Sequence, residues 1–82
     1  MELAQLAPGV WRWDDSLYVE RPDAVLLIDP VVPAGDEERF FRALDRDVER
    51  LGLPVVVVLT DASLEPRAFV DRYGARVLET HA

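Results

Sequence analysis

The chain contains no cysteine, no lysine and no asparagine, and it carries a single histidine, His81. Without cysteine, neither disulfides nor thiolate–metal ligation is open to it. It has no long hydrophobic run either: the longest candidate, Val55 to Leu59, falls far short of the ~18 residues a membrane helix needs. Its four glycines are scattered, so no glycine-rich phosphate loop exists. Residues Met1 to Gln5 show neither a basic flank nor a signal-like apolar stretch, which sets a cytoplasmic expectation. Because lysine is absent, all nine basic residues are arginine, a bias that follows from GC-rich codons or from a use in ion pairs and phosphate contacts. Sixteen acidic residues outweigh them and leave a net charge of −7. A nucleic-acid binder needs a basic face to neutralise phosphates, and an anionic membrane makes the same demand. Neither partner is expected.

What is present is apolar. Half of the 82 residues are hydrophobic, which argues for one folded domain over residues 1–82. After an irregular start ending at Pro8-Gly9, Val10-Trp11-Arg12-Trp13 alternates as a strand with one exposed face does. Asp14-Asp15-Ser16 supplies a turn and Leu17 to Glu20 the returning strand; Arg21-Pro22-Asp23 is a second turn. Ala24 to Ile28 is apolar on both faces and closes a three-stranded antiparallel meander. Asp36 is placed to cap a helix whose stripe is Phe40, Phe41, Leu44, Val48 and Leu51 and whose stop is Gly52. The run Val55 to Leu59 reads as an interior parallel strand. A short helix from about Leu64 to Tyr73, facing inward with Phe69, Val70 and Tyr73, stops at Gly74, and Ala75 to Glu79 forms a last strand. The expected class is α/β with a mixed sheet, in the order β-β-β-α-β-α-β.

That order, with the phrases Leu6-Ala7-Pro8-Gly9-Val10-Trp11, Ala24 to Pro30, Val55 to Thr60 and Asp71 to Val77, resembles the N-terminal half of the metallo-β-lactamase fold. The resemblance spans roughly residues 3 to 80. It implies half of an αββα sandwich, whose second half would pack on the outer face of the sheet, whether this chain is whole or a piece of a longer product. It also implies a His-x-His-x-Asp-His zinc motif after the strand that ends in threonine. Laid on this chain, that motif's first two histidines fall on Asp61 and Ser63, its aspartate on Glu65 and its last histidine on Pro66. The metal loop is therefore degenerate and no zinc is expected, since catalytic zinc needs three ligands drawn from His, Cys and carboxylate.

Two readings of the loop follow. Asp61 or Ser63 caps the second helix while Glu65 complements its dipole; or Asp29, Asp61 and Glu65 converge on a hard cation such as Mg²⁺ or Ca²⁺. The ends of these strands are where α/β sheets bind ligands. Asp29 with Asp61 would serve as a general acid/base pair if burial raised one of them. Ser16 and Ser63 lack a neighbouring histidine to act as base. Trp11 and Trp13 read as core or interface residues, or as an aromatic ligand patch. For function, the leading expectation is a non-catalytic domain that acts by homodimerisation through the outer sheet face or by binding a protein partner. The alternatives are a metal-dependent hydrolase of small molecules using Asp29, Asp61 and Glu65, and a small-molecule binder without turnover. For the outer face, cover by residues 2–8 and the tryptophans is the rival to a dimer.

Overall fold

The structure, a computed structural model, describes residues 3–80. Its elements run β1 (Ala4–Ala7), β2 (Val10–Trp13), β3 (Ser16–Glu20), β4 (Val25–Ile28), α1 (Glu37–Leu51), β5 (Val55–Leu59), α2 (Arg67–Tyr73) and β6 (Arg76–Glu79). All six strands join one mixed sheet in sequential order, antiparallel from β1 to β4 and parallel from β4 to β6. The fold is thus mixed α and β, as expected, with one strand more than the sequence suggested. Residues 4–7 form an edge strand rather than an irregular segment. They pair with β2 through a register shift between Gln5 and Ala7.

The two parallel crossovers, β4-α1-β5 and β5-α2-β6, step in the same direction, and both helices pack on the same side of the sheet. On that side Val25, Leu27, Val55, Val57 and Leu59 are buried, with Phe40 and Leu44 of α1 and Phe69 of α2 packed over them. Phe69 is the hub: its ring lies 6.2 Å from Phe40 and 5.9 Å from Phe41. Val70, expected to face inward, is instead 37% exposed; on a helix this short only Phe69 and Tyr73, four residues apart, share the inner face. Outside the apolar seam, Asp45 of α1 receives Nε and Nη2 of Arg72 at 2.8 and 2.6 Å and the Tyr73 hydroxyl at 2.6 Å. The two helices are therefore joined by both packing and charge.

Their ends follow backbone chemistry more than side-chain capping. Gly52 and Gly74 sit in the left-handed region and donate N–H to Val48 and Val70, as glycine stops do. Asp36 precedes α1 but makes no side-chain cap; its φ of −123° and ψ of 17° leave its backbone carbonyl, not its carboxylate, to receive the Phe40 N–H. The second helix begins at Arg67 and not at Leu64, because Pro66 pushes the residue before it out of the helical region.

Among the described residues no helix lies over the opposite side of the sheet. Strand alternation and register put Val10, Val19, Leu26 and Val56 in one cross-strand row, and Leu17, Ile28, Val58 and Leu78 in the next. The first row ends in Arg76 and the second contains Arg12. Residues 4–7 lie beside this face, in line with it, and the two tryptophans point to the helix side, so neither of these covers it; residue 2, the start of the segment expected to do so, lies outside the described residues. Among the described residues no helix is long and apolar enough to cross a membrane.

Candidate functional site

The loops after β4 and β5 are where the sequence placed its candidate cleft. They meet as expected, and they meet through hydrogen bonds. Asp29 leaves β4 with a φ of +47°, a conformation that aspartate tolerates better than most residues. That turn swings its carboxylate onto the end of β5. Oδ1 receives the N–H of Thr60 at 2.6 Å and of Asp61 at 3.3 Å, and Oδ2 receives the Thr60 hydroxyl. Desolvation pushes the Asp29 carboxyl up, but the Thr60 hydroxyl and the two backbone donors together outweigh it and hold the group below its ordinary value. An acid poised for proton transfer needs the opposite shift. Asp29 thus serves as a hydrogen-bonded clamp between two strand ends, and the direction of its shift lends no support to its pairing with Asp61 as general acid and base.

Beneath it lies Ser16, which the sequence reading took for a turn residue. It opens β3, is fully buried, donates its hydroxyl to the Asp29 carbonyl at 2.7 Å and accepts the Val31 N–H at 3.2 Å. Trp13 Nε1 donates to the Val31 carbonyl at 2.9 Å. Both groups fix the turn at residues 29–31, and a buried hydroxyl committed in this way has no route to a substrate. Trp13 is 3% exposed and packs on Phe40 at 5.5 Å, the core role expected for it.

The positions onto which the resemblance would lay a zinc motif are likewise engaged with their own backbone. Asp61 Oδ1 receives the Ser63 N–H and hydroxyl at 2.9 and 2.7 Å, closing a turn well before α2 rather than capping it. Glu65 Oε1 receives the Arg67 N–H at 3.2 Å, so it caps the first helical residue, a role given to Asp61 or Ser63 in sequence. Pro66 offers no ligand atom. Among the described residues no group of three His, Cys, Asp or Glu side chains is placed to hold a metal; Asp29, Asp61 and Glu65 do not make one. His81 lies outside the described residues. Tested against the chemistry of zinc, the donors at the motif positions do not fit.

Among the described residues, two features stand out as surfaces. One is the aliphatic face of the sheet. The other was missed in sequence: a concavity on the helix side, where Tyr18, Glu20, Asp47 and Arg50 come together from β3 and α1. Twenty-seven to thirty-two residues separate the members from the two elements, and no local pattern announces their meeting. No family model, curated protein or solved structure matches the chain.

Proposed function

We propose that this domain acts by association, as a non-catalytic relative of the N-terminal half of the metallo-β-lactamase fold, and that the partner on its open sheet face is a second copy of itself. The observation that carries the reading is that face: eight aliphatic side chains in two cross-strand rows, with no acidic residue among them and arginine at Arg12 and Arg76. Kinship with the fold is supported by the order of elements and by the position of the Thr60 loop, and the degenerate ligands remove the usual reason for such a domain to work alone.

Shape favours a copy as the occupant. Six strands about 4.8 Å apart, each giving four to five residues at about 3.3 Å, make a flat footprint of about 24 by 15 Å. That area, about 360 Å² before side-chain relief and rims are added, is under half of the ~800 Å² per partner of a standard interface and sets the dimer at the weak end of the range. A twofold contact matches the outline of the face to itself, and its interior presents no polar side chain that would need a bonding partner. The arginine stems can lie along the apolar rows with their heads at the rim, the disposition expected of arginine at interfaces.

Sedimentation equilibrium from micromolar to sub-millimolar concentration tests the proposal. The expected result is a monomer–dimer equilibrium that Val58→Lys shifts to monomer while the circular dichroism spectrum stays unchanged. A wild-type chain that remains monomeric over the whole range, with its fold intact, refutes it.

A further inference from the structure

On the helix side, α1 does not close fully on the β2–β3 hairpin. Between them is a concavity of about 290 Å³, just under the ~300–1,000 Å³ of ligand pockets. Its walls are aromatic. Trp11 meets Tyr18 edge-on, with centroids 5.5 Å apart and planes at 67°, and Trp13 and Phe40 close the inner end. The mouth is charged. Arg50 reaches Glu20 at 3.2 Å and Asp47 at 3.6 Å from the solvent side, so two carboxylates share one guanidinium.

We propose that this cavity binds a small organic cation: an amine or quaternary ammonium group, carried on a flat apolar body, seated among the rings and facing the two carboxylates. Three features of the site select that class. Ring faces of tryptophan and tyrosine carry negative charge density and attract cations, most strongly where water is excluded. The mouth has a net negative charge, with Arg50 a single counter-charge to Glu20 and Asp47. The chain as a whole, at −7, draws cations and repels anions on approach. Burial first, then the charges of Asp47 and Glu20, raise the Tyr18 hydroxyl well above its ordinary value, so it stays a neutral donor and adds no competing charge of its own. The cavity stays open because position 43, on its α1 wall, is alanine. It lies on the opposite side of the sheet from the aliphatic face, so the site is independent of self-association and is open in a monomer or a dimer.

The test uses three probes of one shape: phenethyltrimethylammonium, the neutral 3-phenylpropanol and the anionic 3-phenylpropionate. Tryptophan fluorescence gives the affinity, and amide and indole NMR shifts locate the contact. The expected result is saturable binding of the cation, about tenfold or more tighter than either of the others, with the Trp11 indole among the perturbed signals. Paired Glu20→Gln and Asp47→Asn substitutions are expected to remove that preference and leave the alcohol unchanged. Ala43→Phe, at an exposed position that helix geometry tolerates, is expected to fill the cavity and abolish binding of all three while the fold is retained. Equal affinity for the three probes, no saturation by the cation, or wild-type binding in a folded Ala43→Phe protein each overturns the proposal.

Discussion

On β4 and β5 the two sides of the sheet are made of nearly the same residues and end in different states. Val55 and Val57 are 3% and 0% exposed, while Val56 and Val58, between and beyond them on the same strand, are only half-buried. Leu27 at 0% and its neighbours Leu26 and Ile28 repeat the contrast on β4. On these two strands composition does not distinguish the sides; cover does. On one side α1 and α2 bring Phe40, Leu44 and Phe69 down onto the valines, and on the other each side chain is shaded only by its cross-strand neighbours. The covered side holds the domain together. On the open side Leu78 is 41% exposed and the other seven aliphatic side chains are half-buried, and the proposed dimer would complete their burial.

The sharpest way to break that contrast is to remove the hub of the covered side. Phe69→Ala is expected to cost about 3–5 kcal/mol, measured by urea denaturation, through lost transfer energy and the cavity left under both helices. A domain of this size has only about 4–12 kcal/mol in total, so the variant is expected to be largely unfolded at modest temperature. The matching truncation on the open side, Ile28→Ala, is expected to cost about 1–2 kcal/mol in a dilute monomer, because the site is only half-buried. At higher concentration that cost is expected to grow, since a dimer that buries Ile28 adds stability by mass action. A flat melting temperature across concentration, for wild type and variant alike, would leave the open face without the role assigned to it.

How far the sequence spoke for these two sides differs by element. Continuous apolar runs such as Val55 to Leu59 announced a strand with side chains to bury on both faces, and the stripe of α1 with Gly52 behind it announced the helix that covers one of them. The strand at residues 4–7 was silent because all four of its residues are exposed. An edge strand with neither face buried has no hydrophobic alternation, and only backbone pairing to β2 creates it. The candidate site was legible as a place and not as chemistry. Aspartates and serines after β4 and β5 look alike whether they serve a substrate or a turn. The partners that decide between the two, Ser16 with Asp29 and Val31, or Asp29 with Thr60, stand 13 to 31 residues apart. The α2 start was misjudged for a local reason, the backward constraint that Pro66 imposes.

The strand-end clamp serves both sides of the sheet, and acid should loosen it. The Asp29 carboxyl titrates below its ordinary value in the fold, so it contributes stability at pH values above the unfolded-state value of about 3.9 and loses that contribution as pH falls through its folded value. Asp29→Asn keeps the shape and removes the charge. Because solvent reaches the group, the expected loss at neutral pH is about 1 kcal/mol, below the ~1.5–3 kcal/mol of a sheltered charged hydrogen bond. The variant is also expected to show a shallower fall in melting temperature between pH 5 and pH 3. An unchanged pH profile would mean that the clamp forms without the charge.

The smallest effect belongs to the link between the helices and bears on the covered side alone. The bonds from Arg72, then the Tyr73 hydroxyl, hold the Asp45 carboxyl below its ordinary value against the opposing effect of desolvation. Its contribution therefore has the same sign as that of Asp29: present at neutral pH and lost in acid. The pair is two-pronged and close, yet its side chains are 46% and 41% exposed, so screening leaves Asp45→Asn a cost of about 0.5–1 kcal/mol. Salt separates this contact from the apolar cover beneath it. Raising ionic strength to about 1 M shortens the screening length to about 3 Å, and it should narrow the stability gap between wild type and Asp45→Asn while leaving the cost of Phe69→Ala in place. If salt instead shrank the Phe69→Ala cost as much as the Asp45 gap, the helices would be held to the sheet chiefly by charge, and the division into a side stabilised by packing and a side left for a partner would fail.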